Sequence, residues 1–119
     1  MQHNEDNEQA ALFRWMAFER GAHPEIDMLY HIPNGGRRDS REAARLKRQG
    51  VRAGVPDLCL PVPRGGYGAL YIELKVKGGR LSENQKAWME RLRRCGNKAV
   101  VCFGWEEAAG AIREYLGIM

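Results

Sequence analysis

The 119-residue sequence predicts an α/β domain, a mixed sheet flanked by helices, and three observations carry that expectation. Segments of helical and of strand character follow one another in the order α, β, α, β, β, α, β, α. Two adjacent strands are joined by a turn rich in Pro and Gly, which makes an antiparallel hairpin. The last strand, Ala99–Phe103, is apolar throughout and follows a helix. It is therefore expected to be buried on both faces and parallel to the strand before that helix.

Each element has its own signal. Ala11, Leu12, Trp15, Met16 and Phe18 keep helical spacing, so a first helix is expected from Glu8 to about Arg20, stopped near Gly21 and Pro24. Met28–Ile32 reads as a short strand ended by the turn Pro33-Asn34-Gly35-Gly36. A basic helix follows from Ser40 to Gln49, with Asp39 as N-cap, Glu42 three residues on and Gly50 as the stop. Asp57–Leu60 and Ala69–Val76 are the hairpin strands, separated by the turn 61–68. Ser82 opens the next helix, with Gln85 at the capping-box position and Trp88, Met89 and Leu92 on its apolar side. Trp105–Leu116 is a last amphipathic helix closed by Gly117. No repeat, linker or low-complexity stretch interrupts the series, so residues 1–119 read as one domain.

Composition excludes several classes. The apolar and charged fractions are those of a folded globular chain, and no apolar run has the length of a membrane span. No secretory signal opens the chain, so a cytoplasmic, intracellular location is expected. Cys59, Cys95 and Cys102 are odd in number, lack CxxC spacing and read as free thiols; His3, His23 and His31 add no metal-ligand spacing. The net charge of +4 is local. Arg37–Arg52 holds seven basic and two acidic residues, whereas the remainder holds 12 basic and 13 acidic. One segment thus carries all the surplus, the footprint of a polyanion-binding surface. Arg41, Arg45, Arg48 and Arg52 recur at spacings of four, three and four, as along one side of a helix, with Ala43 and Leu46 opposite. With Arg37 and Arg38 they are candidate phosphate contacts, and Asn34 a candidate polar contact or a turn former. No aromatic interleaves the run, which favours backbone contact to duplex or junction over single-strand stacking.

The chemistry-bearing residues are Asp57, Glu73 and Lys75. Glu73 and Lys75 are two apart on one strand and share a face. If Asp57 stands on the partner strand, one sheet face gathers two carboxylates and an ammonium. Facing carboxylates repel unless a cation joins them, and an all-oxygen ligand set suits Mg²⁺ or Mn²⁺. Such an ion activates water against a phosphodiester, and Lys75 would orient that water and stabilise developing charge. Glu-x-Lys alone also occurs as surface solvation of a strand. Trp15, Trp88, Met89 and Trp105 read as core or subunit-contact residues.

Taken in order, His31-Ile32-Pro33-Asn34-Gly35-Gly36, Gly54-Val55-Pro56-Asp57, Glu73-Leu74-Lys75, Leu81-Ser82-Glu83-Asn84-Gln85 and Gly104-Trp105-Glu106-Glu107-Ala108 resemble the PD-(D/E)xK nuclease superfamily. More closely they resemble its VRR-NUC domain, the virus-type replication and repair nuclease module. The resemblance implies a restriction-endonuclease-like core. It also implies a metal held by Asp57, Glu73 and the Leu74 carbonyl, catalysis by Lys75, and a glutamate of the first helix completing the site. Glu8 is the best match for that glutamate, with Glu5 and Glu19 as alternatives. Gln85 matches a position facing the active site, a role to set beside its capping-box reading. The size resembles stand-alone phage and bacterial members, which implies a DNA-repair-type endonuclease acting on branched DNA, as a homodimer. A non-catalytic DNA-binding module of the same fold is the alternative, against which the intact Asp57, Glu73 and Lys75 set argues. An acidic-protein partner for the basic helix would leave the carboxylate pair without a purpose.

Overall fold

Four strands form one sheet in the computed structural model, which describes residues 4–34 and 39–118. They are β1 (Tyr30–His31), β2 (Leu58–Leu60), β3 (Leu70–Lys75) and β4 (Lys98–Phe103), in that spatial order. β1 and β2 pair antiparallel, β2 and β3 form the expected antiparallel hairpin, and β3 and β4 run parallel. The helices are α1 (Glu5–Glu19), α2 (Ser40–Arg48), α3 (Glu83–Arg94) and α4 (Trp105–Leu116). The element order is the one read from the sequence, with one addition: a 3-10 turn at Pro24–Met28.

The period of two decides which residues hold the sheet. Leu70, Ile72 and Leu74 of β3, Leu58 and Leu60 of β2 and Cys102 of β4 join Leu12 of α1 and Ala108, Ala109 and Ile112 of α4 in the main apolar core. The alternate residues of β3, Tyr71, Glu73 and Lys75, therefore look to the other face. There α3 packs along β4, and Met89 and Ala99 are buried outside that core. Placing Leu74 in the core commits Glu73 and Lys75 to the α3 side.

Several boundaries differ from expectation for local reasons. α1 starts at Glu5 because the Asn4 side chain accepts the Asn7 N–H at 2.8 Å. Phe18 is 88 % exposed, so the apolar stripe of α1 turns away from it. β1 is only two residues long. Pro24 sets the φ of a helical first turn, and the 3-10 segment consumes Met28 while burying Ile26. β4 is an edge strand rather than one buried on both faces, although it is parallel to β3 as expected. Its Ala99 and Cys102 are buried, Val100 and Val101 half-buried and Phe103 exposed. α2 ends at Arg48, and none of its residues is fully buried. Arg52 consequently lies on the strap between α2 and β2, and does not continue the row of Arg41, Arg45 and Arg48. Cys59 and Cys102 are buried free thiols, and Cys95 is an exposed one. Among the described residues no helix is long and apolar enough to cross a membrane.

Candidate active site

The hairpin register brings the predicted residues together. Leu58 opposes Ile72, so one step further along the ladder Asp57 stands opposite Glu73. Asp57, Glu73 and Lys75 are the buried charged side chains among the described residues, at 8 %, 1 % and 8 % exposure. Burial of three charged groups is costly without partners, and the partners are specific.

The Asp57 Oδ2 accepts the Leu74 backbone N–H at 2.8 Å. Pro56 bears on the Leu74 carbonyl instead. Extending the register two pairs beyond Leu58 and Ile72 sets Pro56 opposite Leu74, and proline has no N–H to give to the Leu74 carbonyl. The ladder therefore ends here. The Leu74 N–H turns to the Asp57 carboxylate, and Pro56 leaves the Leu74 carbonyl without a ladder donor. Asp57 is also held from β1: its own carbonyl accepts the Ile32 N–H at 2.7 Å. The Nδ1 of His31 lies 3.0 Å from the same carbonyl, so that nitrogen carries the hydrogen and donates.

Glu73 is held from the opposite side. Its Oε2 accepts from the Gln85 Nε2 at 3.1 Å and lies 3.5 Å from the Lys75 Nζ. The Gln85 Oε1 in turn accepts the Ser82 N–H at 2.8 Å, while the Ser82 hydroxyl accepts the Gln85 N–H at 3.1 Å. Both readings of Gln85 thus hold at once: it closes the capping box of α3 and faces the acidic centre. The second oxygen of Glu73, Oε1, is buried with no hydrogen-bond partner. Burial and the neighbouring Asp57 push the Glu73 carboxyl up to about 8, against the pull of Lys75. Burial raises Asp57 as well, opposed by the Leu74 N–H and by the charges of His31 and Lys75.

An orphaned buried carboxylate oxygen, a second carboxylate facing it and a carbonyl that its strand partner cannot pair are a donor set that fits a hard divalent cation. Glu8, the expected third carboxylate, is engaged at the N-terminus of α4. Among the described residues no group of three or more His, Cys, Asp or Glu side chains is positioned to hold a metal. The Oε1 of Glu8 accepts the Trp105 N–H at 2.8 Å. The reason is local: the N-cap of α4 is Gly104, which has no side chain to satisfy that N–H. Of the two alternatives, Glu5 is exposed on the first turn of α1, and Glu19 pairs with Arg113 at 3.5 Å.

The basic surface is rearranged relative to expectation. Arg45 folds back on Glu42, its Nε donating to the carboxylate at 3.1 Å. Arg41 and Arg48 are exposed on α2. Asn34, Ala43, Lys47, Val51, Arg52, Ala53 and Gly54 line a groove of about 480 Å³. Arg37 and Arg38 lie outside the described residues. Sequence reasoning missed His31 as a neighbour of Asp57 and missed Trp88 as a seat for arginines. The only signal for His31 was the β1–β2 pairing, which spans 26 residues.

A mixed sheet that carries two carboxylates and a lysine on its hairpin, with helices on both faces, is a nuclease-type fold. The chain belongs to the VRR-NUC family: the model of the VRR-NUC domain matches residues 3–105, which include every site residue above. A solved structure of a VRR_NUC domain protein is 32 % identical, with a TM-score of 0.80 over 98 % of this chain and 91 % of that one. The curated proteins contain no match.

Proposed function

We propose that this protein is a metal-dependent nuclease that hydrolyses phosphodiester bonds in DNA, acting as a homodimer on branched or junction structures. The observation that carries the reading is the convergence of Asp57, Glu73 and Lys75 on one sheet face, with one Glu73 oxygen buried and unpartnered. Asp57, Glu73 and the Leu74 carbonyl would hold Mg²⁺ or Mn²⁺. When bound, such an ion offsets the charge of the diester and lowers the pKa of water.

The remaining work belongs to the chain. Gln85 holds one Glu73 oxygen, so the carboxylate presents the other toward Asp57. The Leu74 N–H and the His31-tethered loop fix Asp57. Lys75, at 8 % exposure, keeps its ammonium within 3.5 Å of Glu73, where it orients the attacking water and stabilises the charge of the transition state. Arg41, Arg48 and Arg52 would grip backbone phosphates, with Arg45 held in reserve by Glu42. Glu8 would act through the N-terminus of α4 rather than as a ligand.

The test is cleavage of a panel of labelled linear, nicked, flapped and four-way DNAs with Mg²⁺, with Mn²⁺ and with EDTA. Cleavage is expected with either metal, favouring branched substrates, and none with EDTA. Tight DNA binding with no cleavage under any metal would return the protein to the non-catalytic reading.

A further inference from the structure

Trp88 stands on α3 three residues after Gln85, and two guanidinium groups sit on its indole. The Arg52 Cζ is 5.6 Å from the ring centroid and the Arg91 Cζ is 5.1 Å from it. Arg52 comes from the strap between α2 and β2, and Arg91 from the following turn of α3. Both residues are exposed. Neither makes an ion pair or a side-chain hydrogen bond among the described residues.

Contact with the indole stabilises each cation separately. It also keeps the two guanidinium carbons no more than about 11 Å apart, and neither is in an ion pair among the described residues. An anion that reaches both relieves their mutual repulsion. Guanidinium forks match the oxygens of a phosphate, and contact with the indole restrains both side chains in advance, so less conformational freedom is lost on binding. The location narrows the anion. Trp88 is just under one helical turn, roughly 4.5 Å of rise, beyond Gln85, and Gln85 touches Glu73. Arg52 precedes Asp57 by five residues and also lines the groove shared by Asn34 and Lys47. The pair therefore lies between the acidic centre and the basic helix.

We propose that Arg52 and Arg91, braced on Trp88, form a phosphate subsite that takes a backbone phosphate of the nucleic-acid strand, next to the one bound at the acidic centre. The proposal rests on the nuclease reading and extends the contact surface from α2 onto α3. Its function is register: a strand anchored here is presented to Glu73 at a fixed offset.

The experiment compares wild type with the Arg52→Ala/Arg91→Ala, Arg52→Lys/Arg91→Lys and Trp88→Ala variants. Binding of a fluorescein-labelled DNA is followed by anisotropy in EDTA over a range of salt, a readout that needs no catalysis. The alanine pair is expected to weaken binding about tenfold and to flatten the salt slope by about one to two units. The lysine pair should keep most of the slope but lose part of the affinity, because charge remains and planar geometry does not. Trp88→Ala should resemble the lysine pair. In parallel, cleavage of the DNA and of bis(p-nitrophenyl) phosphate is measured with Mn²⁺. The loss on DNA should exceed the loss on the small diester by at least about tenfold, since the diester spans only the acidic centre.

An alanine pair that is folded by circular dichroism, with unchanged affinity and salt slope, overturns the subsite. So does tighter binding of a polyglutamate peptide than of a DNA of equal charge. If the alanine pair does not fold, Arg91→Gln alone on the exposed side of α3 carries the same readouts. Wild-type protein that hydrolyses neither substrate would defeat the nuclease reading, while the anisotropy still judges the subsite.

Discussion

Glu73 is where the opposing forces of the site meet. Burial and Asp57 favour its neutral form, Lys75 favours the charged one, and the balance puts the carboxyl at about 8, against 4.5 in the unfolded chain. Between those values the folded protein binds a proton that the unfolded chain has released. Stability therefore falls as pH rises through that window, and the raised Asp57 adds to the fall in the same direction. In EDTA the Tm from scanning calorimetry should drop between about pH 5 and pH 8, and Glu73→Gln should flatten the drop. Mg²⁺ should raise Tm more at the upper end, where the carboxylates are available to it. A Tm independent of pH would contradict the repulsion. Asp57→Ala should abolish cleavage with the circular dichroism spectrum intact. Lys75→Ala should keep metal and DNA affinity while kcat falls by about 10²- to 10⁴-fold. Equal losses in affinity and kcat would instead make Lys75 a positioning residue.

Among the elements, the strap that carries Asp57 is clamped to α3 at Gly54. Its φ is +90°, and a Cβ there would lie 2.6 to 2.9 Å from the Asn84 Cβ, C and O. The close approach seats the segment ending in Asp57 directly against the helix turn bearing Gln85. Gly54→Ala should destabilise the fold by about 2 kcal/mol or more, and chemical denaturation measures it; an unchanged midpoint would mean that strap and helix are not locked. The β4 edge has its own protection. Its Lys98 N–H bonds the Ala69 carbonyl and the following Gly104 N–H the Lys75 carbonyl, which turns the backbone groups of 99, 101 and 103 toward the open edge. Arg93 donates to the Ala99 carbonyl at 2.8 and 3.1 Å, and Glu107 accepts the Phe103 N–H at 2.9 Å. Side chains thus occupy both ends of the open edge, a safeguard against edge-to-edge pairing. Arg93→Ala with Glu107→Ala should increase self-association in sedimentation velocity, and no change would show that the helices alone shield the edge. On α2, replacing Arg41 and Arg48 with Ala should flatten the salt dependence of DNA binding by about one unit per lost phosphate contact.

For the molecule as a whole, the proposed homodimer rests on geometry rather than on surplus apolar surface. Trp15 and Trp105 pack against the core and Met89 is buried, so the large side chains that suggested a subunit contact are largely used within one chain. Cutting two strands of a branched DNA still calls for two centres, and a twofold axis supplies them most simply. Light scattering at micromolar concentration should give twice the 13.5 kDa of the chain. A mass near 13.5 kDa with full activity at that concentration would make the monomer the working form.

The sequence by itself determined the element order, the hairpin, the parallel last strand, the caps at Asp39 and Ser82 and the Asp57, Glu73 and Lys75 set. Each of these depends on spacing within a few residues: period two along a strand, i to i+3 at a helix start, and the turn chemistry of residues 61–68. What only the tertiary structure decided depends on partners far apart in the chain. Glu8 became the cap of a helix 97 residues away, because Gly104 brings no side chain to that end. Arg52 left the basic row for Trp88, because α2 stops four residues earlier. His31 reached Asp57 through a two-residue strand whose limits were set by a proline-led turn. Local rules place a residue on a face, but which group meets it there is decided only when the sheet and helices have packed.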